Sequence, residues 1–431
     1  MSDRKFGFKT RALHAGTSPD PQTGARALPI YQTSAFVFED TEDAGNLFAL
    51  QKYGNIYSRI ANPTVSALEE KIASLEGGLG AVATASGQAA QFLTFAALTG
   101  SGDHVVASSN LYGGTLTQLD VTLRRFGVDT TFIKSDSPAE FEKAITDKTR
   151  FIYAESLANP GNQIADIEGL AKIADKHGLP LIIDSTIATP YLLRPIEYGA
   201  TIVLHSVTKF LGGHGTTLGG VIVDSGKFNW GNGKFPMMTE EIPSYGGVKW
   251  WDNFGEFGFL TKIRSEQLRD IGATLSPLSA FLLVQGIETL PQRMEEHVAN
   301  TKKVADYLAS DKRIAWVSYS SLPGNPHLDR AKKYFPNGSG AVFSFGVKGG
   351  REVGEKFINS VKLASHLANI GDVRTLVIHP ASTTHRQLTD EQLNDSGVKS
   401  DLIRISVGLE DIDDIIWDLD QALEIATGER R

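Results

Sequence analysis

The sequence predicts an α/β fold, with a mostly parallel seven-stranded sheet domain followed by a smaller C-terminal α+β domain. Three observations predict it. From about residue 65, seven short apolar runs rich in β-branched residues alternate with helical stretches, a pattern that gives parallel sheets covered on both faces. Beyond about residue 285, strands and helices mix without that alternation. Two chemically active side chains, Asp184 and Lys209, stand at or just after the ends of apolar runs. Functional sites of parallel sheets form at those carboxyl ends.

Residues 1–64 are rich in Pro, Gly and Thr, show little periodicity and read as an extended arm. A large domain over 65–285 should carry strands at 81–84, 104–107, 130–134, 150–155, 179–184, 201–205 and 220–223. Spacing of 3.6 residues predicts helices over 64–76 and 168–177. The stretch 225–262 is irregular and aromatic, with Trp230, Phe235, Tyr245, Trp250, Trp251 and Phe254. Packing or a subunit interface explains it better than a substrate lid. The C-terminal domain, 286–431, takes over within a long helical region, 277–309, interrupted near Gly286 and Pro291. Strands at 314–319, 341–347, 376–379 and 403–407 follow. There is no internal repeat and no low-complexity segment.

Composition narrows the function classes. The 431 residues suffice for a large core, and 41% apolar with 21% charged content is ordinary for a globular protein. A net charge of −8 without a basic patch argues against nucleic acid as a partner. No apolar stretch approaches the ~20 residues of a membrane span. The N-terminus lacks the apolar core of a signal peptide, so a cytoplasmic location is expected. The absence of cysteine excludes disulfides, thiolate metal sites and a cysteine nucleophile. Ten histidines without an HExxH arrangement predict no metal site. Gly349 and Gly354 have P-loop spacing, but Glu355 stands where lysine is required, and no GxGxxG opens the first βα unit.

The segment Thr201-Ile-Val-Leu-His-Ser-Val-Thr-Lys209-Phe-Leu-Gly-Gly-His-Gly215 carries the chemistry. Its apolar run ends in hydroxyls, then a lysine, then a glycine-rich turn. Ser206 and Thr208 can donate to a phosphate, and Gly212, Gly213 and Gly215 let backbone approach closely. The preceding run ends in Asp184. Lysine and acid at neighbouring strand ends suit pyridoxal 5'-phosphate (PLP): the amine forms a Schiff base, and the acid keeps the pyridine nitrogen protonated. Asp184 could equally cap the following turn. Thr84-Ala-Ser86-Gly87-Gln88 opens a helix, where backbone amides bind anions, or forms an ordinary cap. Tyr112 stands in a loop after the second strand, placed to stack on a flat ring or to pack. Tyr57 and Arg59 close the arm, and an arginine fork suits phosphate. Arg404 interrupts an apolar strand, so an anion must come from a protein or ligand carboxylate. His205 and His214 flank the lysine as structural residues.

Together these residues resemble the cysteine/methionine-metabolism family of PLP-dependent enzymes, over nearly the whole chain. Further support comes from Thr10-Arg-Ala-Leu-His-Ala-Gly16, Pro29-Ile-Tyr-Gln-Thr-Ser34, the 225–262 insertion and His379-Pro-Ala-Ser-Thr-Thr-His385. The last two are rather specific to the branch that replaces the γ-substituent of an acetylated homoserine with sulfide. The resemblance implies fold type I, a small amino-acid substrate and sulfide, and a homo-oligomer, typically a tetramer built as a dimer of dimers. It implies Lys209 as the Schiff-base lysine, Asp184 as the pyridine-nitrogen partner and Tyr112 as the stacking and catalytic tyrosine. Ser86, Gly87, Gln88, Ser206 and Thr208 would hold the phosphate, joined by Tyr57 and Arg59 from the neighbouring subunit. Arg404 and Asn159 would bind the substrate α-carboxylate, with Tyr57 near the substrate.

Thr201, Val207 and Ser185-Thr-Ile187 depart from the family pattern without removing a chemical group from the mechanism. Gly114 replaces the cysteine of methionine γ-lyases, which argues against that activity. Use of a succinyl ester, cystathionine synthase or lyase chemistry, and a non-catalytic binding role stay open on the sequence.

Overall fold

A computed structural model describes residues 4–383, 386 and 399–431. The chain divides into two compact units. The first holds residues 1–156, 166–212 and 216–289; the second holds 157–165, 213–215 and 290–431.

The first unit is built on a seven-stranded sheet of β1 (Gly80–Thr84), β2 (His104–Ser108), β3 (Asp129–Ile133), β4 (Thr149–Glu155), β5 (Leu181–Asp184), β6 (Ile202–His205) and β7 (Gly220–Asp224). Their order is β1-β7-β6-β5-β4-β2-β3. Neighbours from β6 to β3 are parallel, and β7 runs antiparallel to both β6 and β1. The all-apolar central strands follow from coverage on both faces. Val105, Val106, Phe151, Ile182, Ile183, Val203 and Ile222 have no exposed surface. Across the sheet, Phe95 stacks on Phe151 at 5.1 Å and meets Tyr153 edge-on at 5.3 Å. Full burial of each such ring stabilises the fold by roughly 1.5–3 kcal/mol.

Helix Pro63–Glu76 shows how local sequence sets its ends. The Asn62 side chain accepts from Thr64 N, Pro63 stands in the first turn, and Gly77 closes the helix at φ +81°. The segment expected to be a wholly extended arm contains helices Phe8–His14 and Thr41–Phe48. It docks onto helix Pro63–Glu76 through long-range polar contacts. The buried Lys71 ammonium donates to Ala12 O at 2.8 Å, and Asn62 Nδ2 donates to Tyr31 O at 2.8 Å. Such partners, distant in sequence, leave no trace in local periodicity.

The aromatic stretch is packed. Trp230, Phe235, Trp250 and Phe259 are buried, and Trp230 stacks on Phe259 at 4.9 Å. Gly286, expected at a helix interruption, lies inside helix Pro277–Glu288, and the break falls at Thr289. A Cβ at Gly286 would come within 2.2 Å of Gly212 O, so this glycine serves close packing instead.

The second unit holds a five-stranded sheet of β8 (Ile314–Ser318), β9 (Val342–Val347), β10 (Ser365–His366), β11 (Leu376–Ile378) and β12 (Leu402–Ser406), in the order β10-β11-β12-β9-β8. β10 and β11 are parallel and the remaining pairs antiparallel. Helices Leu290–Ala309 and Ile412–Thr427 contribute Val304, Leu308, Leu419 and Leu423 to its core.

The sequence division at 285/286 therefore shifts to 289/290, and two short inserts change unit. Asn162 Nδ2 donates to Ser339 O and Val342 O at 3.0 and 2.9 Å, and Ser344 Oγ donates to Pro160 O at 2.7 Å. Val373 N donates to Gly213 O at 2.8 Å. These bonds bind 157–165 and 213–215 to the second unit.

Candidate active site

Parallel pairing of β5 with β6 sets Asp184 opposite Leu204. The backbone then turns at Ser206, and Lys209 N donates back to Ser206 O at 3.2 Å. Lys209 is half-buried in that turn. Ser206 N donates to Thr186 Oγ1 at 2.8 Å, tying the turn after β6 to the turn after β5. The Thr208 hydroxyl accepts from Gly219 N at 3.0 Å.

Asp184 is also half-buried, and each of its oxygens has a donor. Oδ1 accepts from Thr186 N at 2.9 Å, and Oδ2 accepts from Gln91 Nε2 at 3.1 Å. It therefore does more than cap the turn.

Helix Gly87–Leu98 begins next to the lysine turn. Ser86 is its N-cap, and the Ser86 hydroxyl accepts from Ala89 N at 3.1 Å. Gly87 and Gln88 occupy the first turn, whose amides have no partners within the helix. A Cβ at Gly87 would lie 2.7 Å from Ser206 Cβ and 3.0 Å from Ser206 Cα. The glycine thus lets the helix start close against Ser206, forming a narrow cradle of amides and hydroxyls that carries the positive end of the helix dipole.

Tyr112 caps helix Gly113–Thr117 and is about half exposed. Its backbone N–H donates to Glu155 Oε1 at 2.6 Å. A Cβ at Gly114 would come within 2.5 Å of Tyr112 Cε1 and 2.8 Å of Gln88 Nε2, so only glycine leaves both side chains where they stand.

Tyr57 and Arg59 are exposed, with the guanidinium 5.3 Å from the tyrosine ring centroid. In the second unit, Arg404 lies on β12, opposite Ile378 of β11 and Ser344 of β9. It donates to Asn159 Oδ1 at 3.3 Å and Asn369 O at 3.0 Å. The two residues expected to share a carboxylate are thus adjacent. Thr384 and His385 of the His379–His385 motif lie outside the described residues. His379 itself is buried and bonds Ser382 Oγ and Ser400 O at 2.8 and 2.9 Å, while burial lowers its pKa. His205 is buried beside Glu76 at 3.0 Å, a structural pair.

Sequence reasoning missed four residues around Asp184 and Tyr112: Gln91, Thr115, Tyr153 and Glu155. The available signal was polarity in apolar surroundings. Gln91 is a buried amide among apolar neighbours of its helix, and Tyr153 and Glu155 lie toward the end of a buried strand. Burial, with Asp184 and Glu155 nearby, raises the Tyr153 pKa well above the usual tyrosine range.

An amine, a carboxylate on the neighbouring strand, an exposed tyrosine and an anion cradle fit a phosphorylated pyridine aldehyde. Fold and site together define a PLP-dependent enzyme. The comparisons with known proteins narrow the class. The chain belongs to the Cys/Met metabolism PLP-dependent enzyme family, whose model matches residues 9–424. It is 52% identical to sulfhydrylase FUB7 of Fusarium oxysporum over 99% of this chain and 100% of that protein. It is 49% identical to an O-acetyl-L-homoserine sulfhydrylase of Leptospira meyeri, over 98% of this chain and 97% of that one. Among solved structures it is similar to a Campylobacter jejuni protein provisionally assigned as an O-acetylhomoserine (thiol)-lyase, with TM-score 0.93 and 40% identity. That match covers 97% of this chain and 100% of the other, whose crystal structure carries an N'-pyridoxyl-lysine-5'-monophosphate residue.

Proposed function

We propose that the protein catalyses PLP-dependent γ-replacement on O-acetyl-L-homoserine, taking sulfide and releasing L-homocysteine and acetate. The observation that carries this reading is the full-length likeness to an O-acetyl-L-homoserine sulfhydrylase, joined to the lysine and acid at neighbouring strand ends.

Bound PLP supplies an electron sink for negative charge developing at the substrate carbons. Lys209 Nζ would hold the cofactor, and its free amine would take the Cα proton. Asp184 keeps a proton on the ring nitrogen. Ser86, Gly87, Gln88, Ser206 and Thr208 hold the phosphate dianion through amides and hydroxyls. Tyr112 would stack on the cofactor ring, and its Oη would accept the proton of the incoming amine. Arg404 and Asn159 hold the substrate α-carboxylate, the guanidinium contributing a charge-assisted fork. Loss of a β-proton and acetate, then addition of sulfide at Cγ and return of the protons, balances the reaction.

The same reading makes the protein a cytoplasmic homo-oligomer, a tetramer built as a dimer of dimers. Tyr57 and Arg59 then reach the phosphate of the neighbouring subunit, with Tyr57 also near the substrate. The exposed Val37, Phe48 and Tyr53 of the N-terminal segment support an apolar contact there. Among the described residues, no helix is long and apolar enough to cross a membrane.

The test supplies holoenzyme with O-acetyl-L-homoserine, with and without sulfide, and follows homocysteine, acetate and 2-oxobutyrate. Sulfide-dependent homocysteine in step with acetate is expected. Oxobutyrate without homocysteine would mean a γ-lyase, and turnover of only the succinyl ester would overturn the acetyl assignment.

A further inference from the structure

We propose that Gln91 is a positioning residue for catalysis: its side-chain amide, held by Thr115 and Tyr153, fixes the plane of the Asp184 carboxylate. The proposal deepens the PLP reading and rests on it for the role of Asp184.

Gln91 is nearly fully buried on helix Gly87–Leu98 and reaches residues on three other elements. Its Nε2 lies 3.1 Å from Asp184 Oδ2, 2.9 Å from Tyr153 Oη and 3.1 Å from Thr115 Oγ1. Its Oε1 accepts from the Thr115 hydroxyl at 3.2 Å. An amide has two N–H donors, and here they serve Asp184 and Tyr153. Tyr153 is fully buried, and its Oη accepts from the Gln91 amide. The Thr115 hydroxyl donates to the Gln91 carbonyl, and the Gln91 amide donates to Tyr153 Oη and to Asp184 Oδ2. Rotation of the amide would turn its oxygen toward a carboxylate that only accepts, so the contact with Asp184 Oδ2 holds Nε2 on that side.

The groups facing Asp184 make this donor consequential. Glu155, a second carboxylate, is its register neighbour on β4, while apolar Leu204 is its neighbour on β6. Neither the Glu155 carboxylate nor the Leu204 side chain donates a hydrogen bond to it. Among the described residues, its side-chain oxygens accept from Thr186 N on Oδ1 and Gln91 Nε2 on Oδ2. With each oxygen held once, the carboxylate plane is fixed and further lone pairs remain for the ring nitrogen's proton. A buried network of this kind is effective only when every member is satisfied.

Two substitutions in the holoenzyme test the assignment. Gln91→Met keeps length and apolar bulk but removes the amide. It should lower kcat about tenfold or more while KM for the amino-acid substrate changes little, as expected for loss of a bond to a charged group. PLP should also dissociate more readily, and the pH midpoint of the cofactor's visible absorbance should move. Gln91→Glu places a second carboxyl against Asp184. It should be impaired at high pH and recover as pH falls, because a protonated glutamic acid donates as the amide does.

Thr115→Val, which removes the hydroxyl that holds Gln91 at constant size, should show a weaker form of the Gln91→Met signature and serves if that variant fails to fold. Parental kcat, PLP affinity and absorbance midpoint in Gln91→Met, with or without a lower melting temperature, would overturn the proposal. A parental pH profile in Gln91→Glu would do the same. Failure of the parent enzyme to use sulfide would count against the functional reading instead, because the PLP and absorbance readouts do not depend on that substrate.

Discussion

Substituting Gly87 by alanine sets two effects of opposite sign against each other. Gly87 opens helix Gly87–Leu98, and alanine in a helix is favoured over glycine by roughly 1 kcal/mol. Against that, the added Cβ would stand 2.7 Å from Ser206 Cβ and 3.0 Å from its Cα. Carbon atoms pack at about 3.5–4.0 Å, so the methyl group has nearly an ångström too little room. The obstacle sits on or next to backbone and cannot rotate away. Overpacking of this kind costs about 1–3 kcal/mol, so it should outweigh the propensity gain.

Relief requires the helix start and the Ser206 turn to move apart, which spoils the cradle assigned to the phosphate. PLP affinity of Gly87→Ala should therefore fall about 10- to 100-fold, since each decade corresponds to about 1.4 kcal/mol. Absorbance titration of the resolved apoenzyme with PLP measures this directly. Unchanged affinity together with a raised melting temperature would refute the reasoning, because helix propensity would then have dominated and the cradle would not depend on this approach.

Three further substitutions probe the remaining parts. Lys209→Ala should abolish sulfide-dependent homocysteine formation, and parental turnover would remove Lys209 from the mechanism. Arg404→Ala should raise KM for O-acetyl-L-homoserine by about tenfold or more through loss of a charge-assisted pair, with a smaller effect on kcat. Equal loss in both parameters would point to a different role. Asp224 is fully buried, and burial raises its pKa to about 7, opposed only by the bond from Gly226 N; its Oδ2 has no partner among the described residues. A carboxyl whose folded pKa is raised stabilises the protein fully below its unfolded value near 4. That contribution is lost as pH rises toward about 7, by up to roughly 4 kcal/mol across the window. Asp224→Asn should therefore raise the melting temperature most at pH 8 and least near pH 4, and a pH-independent difference would contradict the assignment.

Strand periodicity and the residues that end strands were legible locally. The runs around Ile182 and Val203 could only be buried strands, and parallel strands present their carboxyl ends together. That is why Asp184 and Lys209 could be proposed as site residues without coordinates. The helix over 64–76 was legible from its 3.6-residue spacing, and the structure adds Asn62 and Gly77 as its caps. The helix Phe8–His14 was missed because its stability comes from docking, with Lys71 bonding Ala12 O 59 residues away.

By itself, then, the sequence determined the layered α/β class, the strand ends and the chemical identity of the lysine, acid, tyrosine and arginine. Tertiary structure alone decided the antiparallel placement of β7 between β1 and β6, the membership of 157–165 and 213–215 in the second unit, and the network behind Asp184. Gln91 and Asp184 are 93 positions apart, and their bond depends on how a helix lies against the sheet. Periodicity reports which face of an element is buried. It carries no information about which distant polar group will meet that face, because that is set by the packing of whole elements.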